Sequence, residues 1–205
     1  MMKKIISEIS KYYNEKVVEF GANSKGVDWN GIESHYLRFS QLCKIITTQN
    51  YSVLDYGCGY GALVDYLDQS FPSFEYLGFD IAEEMIQAGN HKFDTRKTIA
   101  FKGNVNEITP KDYCIASGIF NVKLKNDEAE WKAYIIETLD TMNKLSTKGF
   151  SFNLLTSYSD KDLMKDYLFY AEPEWLFKHC KENYSKQVAI LHDYALYEFT
   201  ILVRK

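Results

Sequence analysis

The stretch VLDYGCGYGAL, residues 53–63, joins an apolar run to an acidic residue and three glycines at alternating positions. The glycines are Gly57, Gly59 and Gly61, and Asp55 lies two positions before the first of them. Glycine permits a sharp backbone turn and lets a ligand approach without a Cβ atom in the way. The stretch therefore predicts a loop for a nucleotide-like ligand between a strand and a helix. It also fits the looser glycine pattern of dinucleotide-binding proteins.

On both sides of this loop the sequence shows periodic apolar patterns. Strands are predicted at 51–57, 74–80, 99–104, 113–120, 149–157, 186–194 and 197–205. Helices are predicted at 62–71, 82–93, 127–146, 160–170 and 173–183, and the first fifty residues are also predicted to be helical. Short buried strands that alternate with helices indicate a parallel sheet. The last two strands are too close together for a crossover helix, so the final strand is predicted to be antiparallel.

The predicted fold class is α/β. We expect a Rossmann-like, seven-stranded, mostly parallel sheet with an antiparallel last strand, helices on both faces and an N-terminal helical cap. The chain shows no internal repeat and no Pro/Ser-rich linker, which favours one domain over residues 1–205. Within it, residues 1–48 are expected to form the helical cap or lid, and residues 50–205 the cofactor-binding core.

Composition and charge restrict the classes of partner. The net charge of −4 weighs against nucleic acid, because a groove that follows phosphates needs clustered Lys and Arg. No apolar run approaches the length of a membrane span, so no membrane partner is expected. The four cysteines, Cys43, Cys58, Cys114 and Cys180, lie far apart. Their spacing favours reduced thiols in a cytoplasmic protein and predicts no metal site.

Acidic residues near the glycines help to distinguish the ligands. A dinucleotide places its pyrophosphate at the N-terminus of the following helix, where the Asp55 carboxylate would repel it. Asp55 suits a ligand with a positive amino group instead. Asp80, at the end of the second strand, can accept hydrogen bonds from both hydroxyls of a ribose, in NAD as in other nucleosides. Asn104 is placed to bond an adenine amino group, and Val105 and Ile81 could pack against the purine.

Four stretches together resemble the successive cofactor motifs of class I S-adenosylmethionine-dependent methyltransferases. They are VLDYGCGYG, GFDIAEEM, GNV and IASGIFN, and the resemblance extends from about residue 50 onward, including the strand order. The segment GVDWNGIESHYLRF also resembles a group of small bacterial methyltransferases met among surface-polysaccharide genes. The resemblance implies that the methyl donor is S-adenosyl-L-methionine and that the product is S-adenosyl-L-homocysteine.

The resemblance also implies donor-binding roles for individual residues. The three glycines would wrap the methionine part of the donor, and Asp55 would lie near its amino group or a bridging water. Asp80 would hold the ribose, and Asn104 and Val105 would hold the adenine. Ser117, at the end of the fourth strand, would line the sulfonium side. Arg38 would pair with the donor's carboxylate, with an ordinary surface position as its alternative.

Residues on the acceptor side are expected at the carboxyl ends of the strands, where ligands bind in an open parallel sheet. Asn121, Tyr158 and Tyr194 follow the fourth, fifth and sixth strands and are predicted to bind the substrate. Trp29, before the first strand, is also predicted to bind the substrate, as part of a lid that folds over the site.

His35 and His192 are the two candidates for a catalytic general base. His35 precedes the first strand, and His192 lies in the turn between the last two strands. A positioned base assists a hydroxyl nucleophile by roughly a hundredfold or more. For both residues a satisfied surface or hairpin histidine is the alternative.

We therefore expect a cytoplasmic methyltransferase, monomeric or homodimeric, that acts by in-line displacement on an oxygen or nitrogen of a small soluble acceptor. After the fourth strand, IFN stands where nucleic-acid amino-methyltransferases have an Asn/Asp-Pro-Pro-Tyr motif, which disfavours DNA bases. The alternatives are an RNA or protein methyltransferase and a catalytically silent S-adenosylmethionine-binding module. Asp55 and the closing hairpin disfavour a nicotinamide oxidoreductase.

Overall fold

The computed structural model describes residues 2–21, 31–71 and 73–205. Its helices are α1 (Met2–Phe20), α2 (Ile32–Leu42), α3 (Ala62–Ser70), α4 (Glu83–Lys92), α5 (Glu128–Lys144) and α6 (Pro173–Asn183). Its strands are β1 (Tyr51–Tyr56), β2 (Phe74–Phe79), β3 (Ile99–Lys102), β4 (Lys111–Ala116), β5 (Ser146–Thr156), β6 (Tyr170–Ala171), β7 (Gln187–Leu191) and β8 (Glu198–Arg204).

The strands form one mixed sheet in the order β3-β2-β1-β4-β5-β8-β7, and β6 pairs with β5 off this path. Strands β1 to β6 run parallel to their neighbours, with the exception of the pairing between β5 and β8. Strand β8 is antiparallel to both β5 and β7. The predicted α/β fold with an antiparallel last strand is therefore confirmed. Because β7 runs parallel to β5, the β7–β8 turn lies at the same sheet edge as the carboxyl ends of β1, β2 and β4.

The predicted helix at 160–170 is wrong, and the described residues form eight strands rather than seven. In this segment Lys161–Leu163 form only a 3-10 turn, and Tyr170–Ala171 form the short strand β6. Five charged residues between 160 and 166 leave no apolar stripe for a helix to bury. The N–H of Phe169 instead donates to the carbonyl of Asn121 at 2.8 Å, which ties the segment to the loop after β4.

Helix α5 has a capped start and a buried face. Oδ1 of Asp127, at the N-cap, accepts a hydrogen bond of 2.8 Å from the N–H of Ala129. This bond satisfies one of the backbone donors that a helix start leaves unpaired. Four residues spaced three or four positions apart along one face of the helix are buried: Trp131, Ile135, Thr138 and Met142.

Helices cover both faces of the sheet, and α1 also reaches one edge of it. Residues of α5 and α6 pack on one face, and residues of α2 and α3 on the other. Ile5 and Ile9 of α1 are buried in the same cluster as Phe79 at the end of β2. The hydroxyl of Ser10 donates to the carbonyl of Ile81 at 3.1 Å. Helix α1 is therefore held at the carboxyl end of β2.

All four cysteines are free and buried. Burial raises the pKa of each thiol, which disfavours the reactive thiolate. None of the described helices is both long and apolar enough to cross a membrane.

Candidate active site

A cleft opens at the carboxyl ends of β1, β2 and β4. Its lining comes from the glycine loop, from α1, α2 and α5, and from the loop after β4, residues 117–119. The structure brings together these sequence-predicted residues in the lining: His35, Asp55, Gly57, Gly59, Asp80, Ile81 and Ser117. Residues far apart in the chain therefore meet where ligands bind in open sheets.

Gly57 is required by both its backbone conformation and its surroundings. Its φ is +82°, in the left-handed region that favours glycine. A Cβ atom at this position would lie 2.2 Å from Cγ2 of Ile119, in the loop after β4. Gly61, also predicted to wrap the donor, lies outside the described lining and packs against Phe101. The glycine loop therefore fits closely against two other segments.

Asp80 connects the glycine loop to the start of α4. Its Oδ2 accepts a hydrogen bond of 2.8 Å from the N–H of Gly59, and its Oδ1 accepts one of 2.9 Å from the N–H of Ala82. Desolvation raises the pKa of this carboxyl, and the backbone hydrogen bonds oppose the rise. A carboxylate has about four lone-pair sites. Each oxygen of Asp80 therefore retains capacity to accept a hydroxyl of a ligand.

Asp55, at the end of β1, is buried and lines the cleft. Its Oδ2 accepts a hydrogen bond of 2.7 Å from the hydroxyl of Tyr76 on β2. Burial raises the pKa of Asp55 to about 7, although the Tyr76 hydrogen bond opposes this rise. A positively charged ligand group beside Asp55 would favour its ionised form.

The charge of the lining identifies the kind of ligand that the cleft accepts. Asp55 and Asp80 are acidic, and the described lining residues include no Lys and no Arg. A pyrophosphate would meet two carboxylates without a compensating cation. The hydroxyl of Ser117 is buried and has no hydrogen-bond partner in the described part of the chain. The cleft therefore fits a ligand that carries an ammonium or sulfonium group together with ribose hydroxyls, as S-adenosylmethionine does.

His35 of α2 is buried in the cleft wall and stacks near Phe39, with ring centroids 4.4 Å apart. Burial, with a further contribution from the positive charge of Arg38, lowers the pKa of His35 to about 4. The imidazole is therefore neutral near pH 7.

His192 lies elsewhere, exposed in the β7–β8 turn and outside the described lining of the cleft. Its ring centroid is 5.9 Å from that of Tyr158 and 6.0 Å from that of Phe199. The two candidate bases thus occupy different environments.

Arg38 has a partner within the chain. Its guanidinium donates to both carboxylate oxygens of Glu198 on β8, with Nε–Oε1 and Nη2–Oε1 distances of 2.8 and 2.6 Å. The same carboxylate accepts a hydrogen bond of 2.5 Å from Nδ2 of Asn153. Oδ1 of Asn153 in turn accepts one of 2.8 Å from the N–H of Gly118, which lines the cleft. The structure therefore assigns Arg38 to a buried carboxylate, and a contact with the donor's carboxylate stays a prediction.

Asn104 and Val105, predicted at the adenine, are exposed and lie outside the described lining. Oδ1 of Asn104 accepts a hydrogen bond of 3.0 Å from the N–H of Asn106 and caps a 3-10 turn. Ile81, the other predicted purine contact, does line the cleft.

The predicted substrate-binding residues lie around the cleft rather than in its described lining. Asn121 is buried and accepts a hydrogen bond of 3.1 Å from the N–H of Leu155, which makes it part of the β4–β5 connection. Tyr158 is exposed and donates to Oε1 of Glu174 at 2.6 Å. The hydroxyl of Tyr194 shares a hydrogen bond of 2.9 Å with that of Thr200. Trp29 lies outside the described residues.

Sequence reasoning missed several residues of the lining. Ile9 and Tyr13 reach the cleft from α1, Ile119 from the loop after β4 and Tyr134 from α5. The signal for Tyr134 is its position three residues after Trp131 on the buried face of a helix. No comparable signal exists for α1, because its apolar face indicates only a buried helix and not the segment on which it packs.

The chain also matches known proteins in sequence and in fold. A family model described as a methyltransferase domain matches residues 53–149. The chain is 53% identical over 155 residues to a Mycobacterium tuberculosis (strain ATCC 25618 / H37Rv) protein named "Putative methyltransferase Rv1506c". That match covers 76% of this chain and 93% of the relative.

Two solved structures show the same fold across nearly the whole chain. Magnesium protoporphyrin IX methyltransferase from Synechocystis PCC 6803 with bound SAH matches with a TM-score of 0.67 and 15% identity. The match covers 98% of this chain and 99% of that chain. The N-methyltransferase NodS from Bradyrhizobium japonicum WM9, in complex with S-adenosyl-L-homocysteine, has a TM-score of 0.64 at 13% identity over 94% and 98% of the two chains.

Proposed function

Because the chain belongs to the class I S-adenosylmethionine-dependent methyltransferases, we propose that it methylates an oxygen or nitrogen of a small soluble acceptor. The observation that carries the donor part of the proposal is the charge of the cleft, with two carboxylates and no Lys or Arg among the described lining residues. The donor supplies a methyl group on a positively charged sulfur, and S-adenosylhomocysteine is the product.

The chain's own residues would bind and orient the donor. Asp55 would face its ammonium group, Asp80 its ribose hydroxyls and Ser117 the region of the reacting sulfur. Gly57 and Gly59 would admit its methionine part to the backbone. Holding two reactants in a productive orientation can supply roughly 7–11 kcal/mol of the barrier reduction in favourable cases.

His35 is the base that the cleft favours. It is buried in the lining, and its neutral ring can accept a proton from an acceptor hydroxyl, although the lowered pKa makes it a weaker base than an ordinary histidine. His192, Tyr158 and Tyr194 lie at the same sheet edge and would contact the part of the acceptor outside the cleft. The acidic net charge of −4 supports a small acceptor over RNA.

Two measurements test the proposal. Calorimetric titration with S-adenosylmethionine, S-adenosylhomocysteine and NAD should show binding of the first two, and binding of NAD alone would contradict the donor assignment. Incubation with methyl-labelled donor and a metabolite extract should then label a small molecule. Label found only in added RNA or protein would replace the acceptor class, and donor binding without any transfer would indicate a silent binding module.

The same transfer assay tests the base. We expect His35→Ala to lower the rate by roughly a hundredfold, the usual contribution of a general base. His91→Ala removes an exposed histidine at the end of α4 and serves as the control. An unchanged rate in His35→Ala would exclude His35 as the base.

A further inference from the structure

The ion pair between Arg38 and Glu198 is almost completely buried, with side-chain exposures of 9% and 2%. Burial of two charges costs desolvation energy that offsets most of their attraction. Apolar residues of similar volume often replace such a pair without loss of stability. The pair therefore contributes little to the free energy of unfolding, and its role lies in the segments that it positions.

Glu198 is connected to two separate walls of the cleft. On one side it binds Arg38, which lies one turn of α2 after His35 of the lining. On the other side its Oε2 accepts a hydrogen bond from Nδ2 of Asn153. Oδ1 of Asn153 in turn accepts a hydrogen bond from the N–H of Gly118. One carboxylate on β8 thus fixes both α2 and the loop after β4.

The orientation of the Asn153 amide depends on this carboxylate. An ionised carboxylate only accepts hydrogen bonds, so Asn153 must turn its NH₂ group toward Glu198 and its oxygen toward Gly118. The Gly118 N–H then has an acceptor, and the next residue, Ile119, occupies the space left by the missing Cβ of Gly57. A neutral amide at position 198 could donate to Asn153 and reverse this orientation.

We propose that Glu198 is a positioning residue of the donor cleft, which fixes the α2 wall through Arg38 and the Gly118 loop through Asn153. The proposal rests on the proposed function in one respect, since the ligand of the cleft is S-adenosylmethionine or its product.

The decisive variant is Arg38→Met combined with Glu198→Met, which removes both charges together, so that neither charge is left buried without its partner. The pair itself adds little stability, but the buried Nδ2 of Asn153 loses its acceptor, so we expect a folded protein whose thermal midpoint falls by several degrees. The dissociation constant of S-adenosylhomocysteine, measured by calorimetry, should rise by about tenfold or more as both walls loosen. A folded variant whose dissociation constant stays within twofold of wild type would overturn the proposal.

The exposed ion pair between Arg96 and Asp68 provides the matched control, because it has the same residue chemistry away from the described lining. Arg96→Gln with Asp68→Asn should leave the dissociation constant unchanged. An equal loss of affinity in this control would attribute the effect to the loss of any ion pair in the fold rather than to this one, and would overturn the proposal.

A second measurement needs neither ligand nor a tolerant double variant. In Glu198→Gln, hydrogen exchange of the Gly118 amide should accelerate by about tenfold or more relative to wild type, and unchanged exchange would overturn the proposal. Failure of wild type to bind S-adenosylhomocysteine would refute the proposed function instead. The exchange rate of Gly118 would still decide the role of Glu198.

Discussion

The hydroxyl of Tyr76 donates a hydrogen bond of 2.7 Å to Oδ2 of Asp55 on the neighbouring strand. The register of β1 and β2 places Asp55 opposite Gly78, so Tyr76 lies two residues back on the same face of the sheet. Both side chains are buried. A residue outside the glycine stretch therefore contributes to the control of ionisation of the carboxylate that distinguishes the donor, although burial has the larger effect.

Replacement of Tyr76 by Phe tests this control. Without the hydroxyl, the pKa of Asp55 should rise further, and donor affinity at pH 7 should fall severalfold and recover toward pH 9. Loss of a buried hydrogen bond to a charged group should also lower the free energy of unfolding by about 1.5–3 kcal/mol. Tyr51→Phe is the control, since its hydroxyl donates to the carbonyl of Phe71. Equal affinity in both variants at pH 7 would contradict the assignment.

The pH dependence of stability should reveal Asp55 directly. Its pKa is about 7 in the folded state and ordinarily 3.8, so the folded protein binds an extra proton between these values. Its contribution to stability is fully present below about pH 4 and is lost as pH rises through about 7.

Asp55→Asn removes this contribution. Relative to wild type without ligand, the variant should gain stability with rising pH, by at most about 1.4 kcal/mol per pH unit inside the window. His35 acts in the opposite sense, because its pKa falls from 6.5 to about 4 and its contribution is lost as pH decreases. Both proteins contain His35, so its contribution cancels in the difference between their free energies of unfolding. Denaturant unfolding at several pH values measures this difference, and a difference that does not change from pH 5 to 8 would exclude the raised pKa of Asp55.

Asp80→Ala should weaken S-adenosylhomocysteine binding by about 1.5–3 kcal/mol, the scale of hydrogen bonds to a charged group. Asp80→Asn should lose less, because its amide oxygen can still accept one backbone N–H. Asp127→Ala, which removes the N-cap of α5, should cost about 1 kcal/mol of stability and no affinity. Calorimetry on the three variants separates a ligand contact from a loop anchor, and equal losses in Asp80→Ala and Asp127→Ala would place the ribose elsewhere.

Gly57→Ala should destabilise the fold by about 1–3 kcal/mol and impair donor binding, because a strained φ and a clash with Ile119 occur together. Ile119→Ala in the same chain removes the clash and leaves the strain. A double-mutant cycle by denaturant unfolding should therefore show coupling between positions 57 and 119. Gly103→Ala is the control, since its nearest neighbour is 4.0 Å away. Additive effects would show that the two loops do not meet.

The part of the site that sequence could predict is the part encoded locally. Asp55, Gly57 and Asp80 each lie within a few residues of a strand end, and strand ends follow from apolar periodicity and glycine. The edge of the sheet then brings them together regardless of the side chains elsewhere. The strand order, in contrast, was implied only by the resemblance to a known family.

The remainder depends on contacts between distant segments. Nothing in the sequence around Arg38 indicates that it pairs with Glu198, which lies 160 residues later in the chain. Asn104 lies just past β3, which ends at Lys102, and its side chain accepts a hydrogen bond from the backbone N–H two residues on, a local competition that spacing does not resolve. The helix predicted at 160–170 does not form, because the backbone of this segment is hydrogen-bonded to the loop after β4.

Strand β8 is inserted between β5 and β7, although it follows both in the chain. During synthesis the glycine loop, Asp55 and Asp80 leave the ribosome long before Glu198 does. Contacts of such high sequence separation form late, because the intervening chain must first lose its conformational freedom. The nascent protein therefore carries every donor motif before it has a complete cleft. If Glu198 positions the cleft as proposed, the capacity to bind the donor is acquired only when β8 enters the sheet.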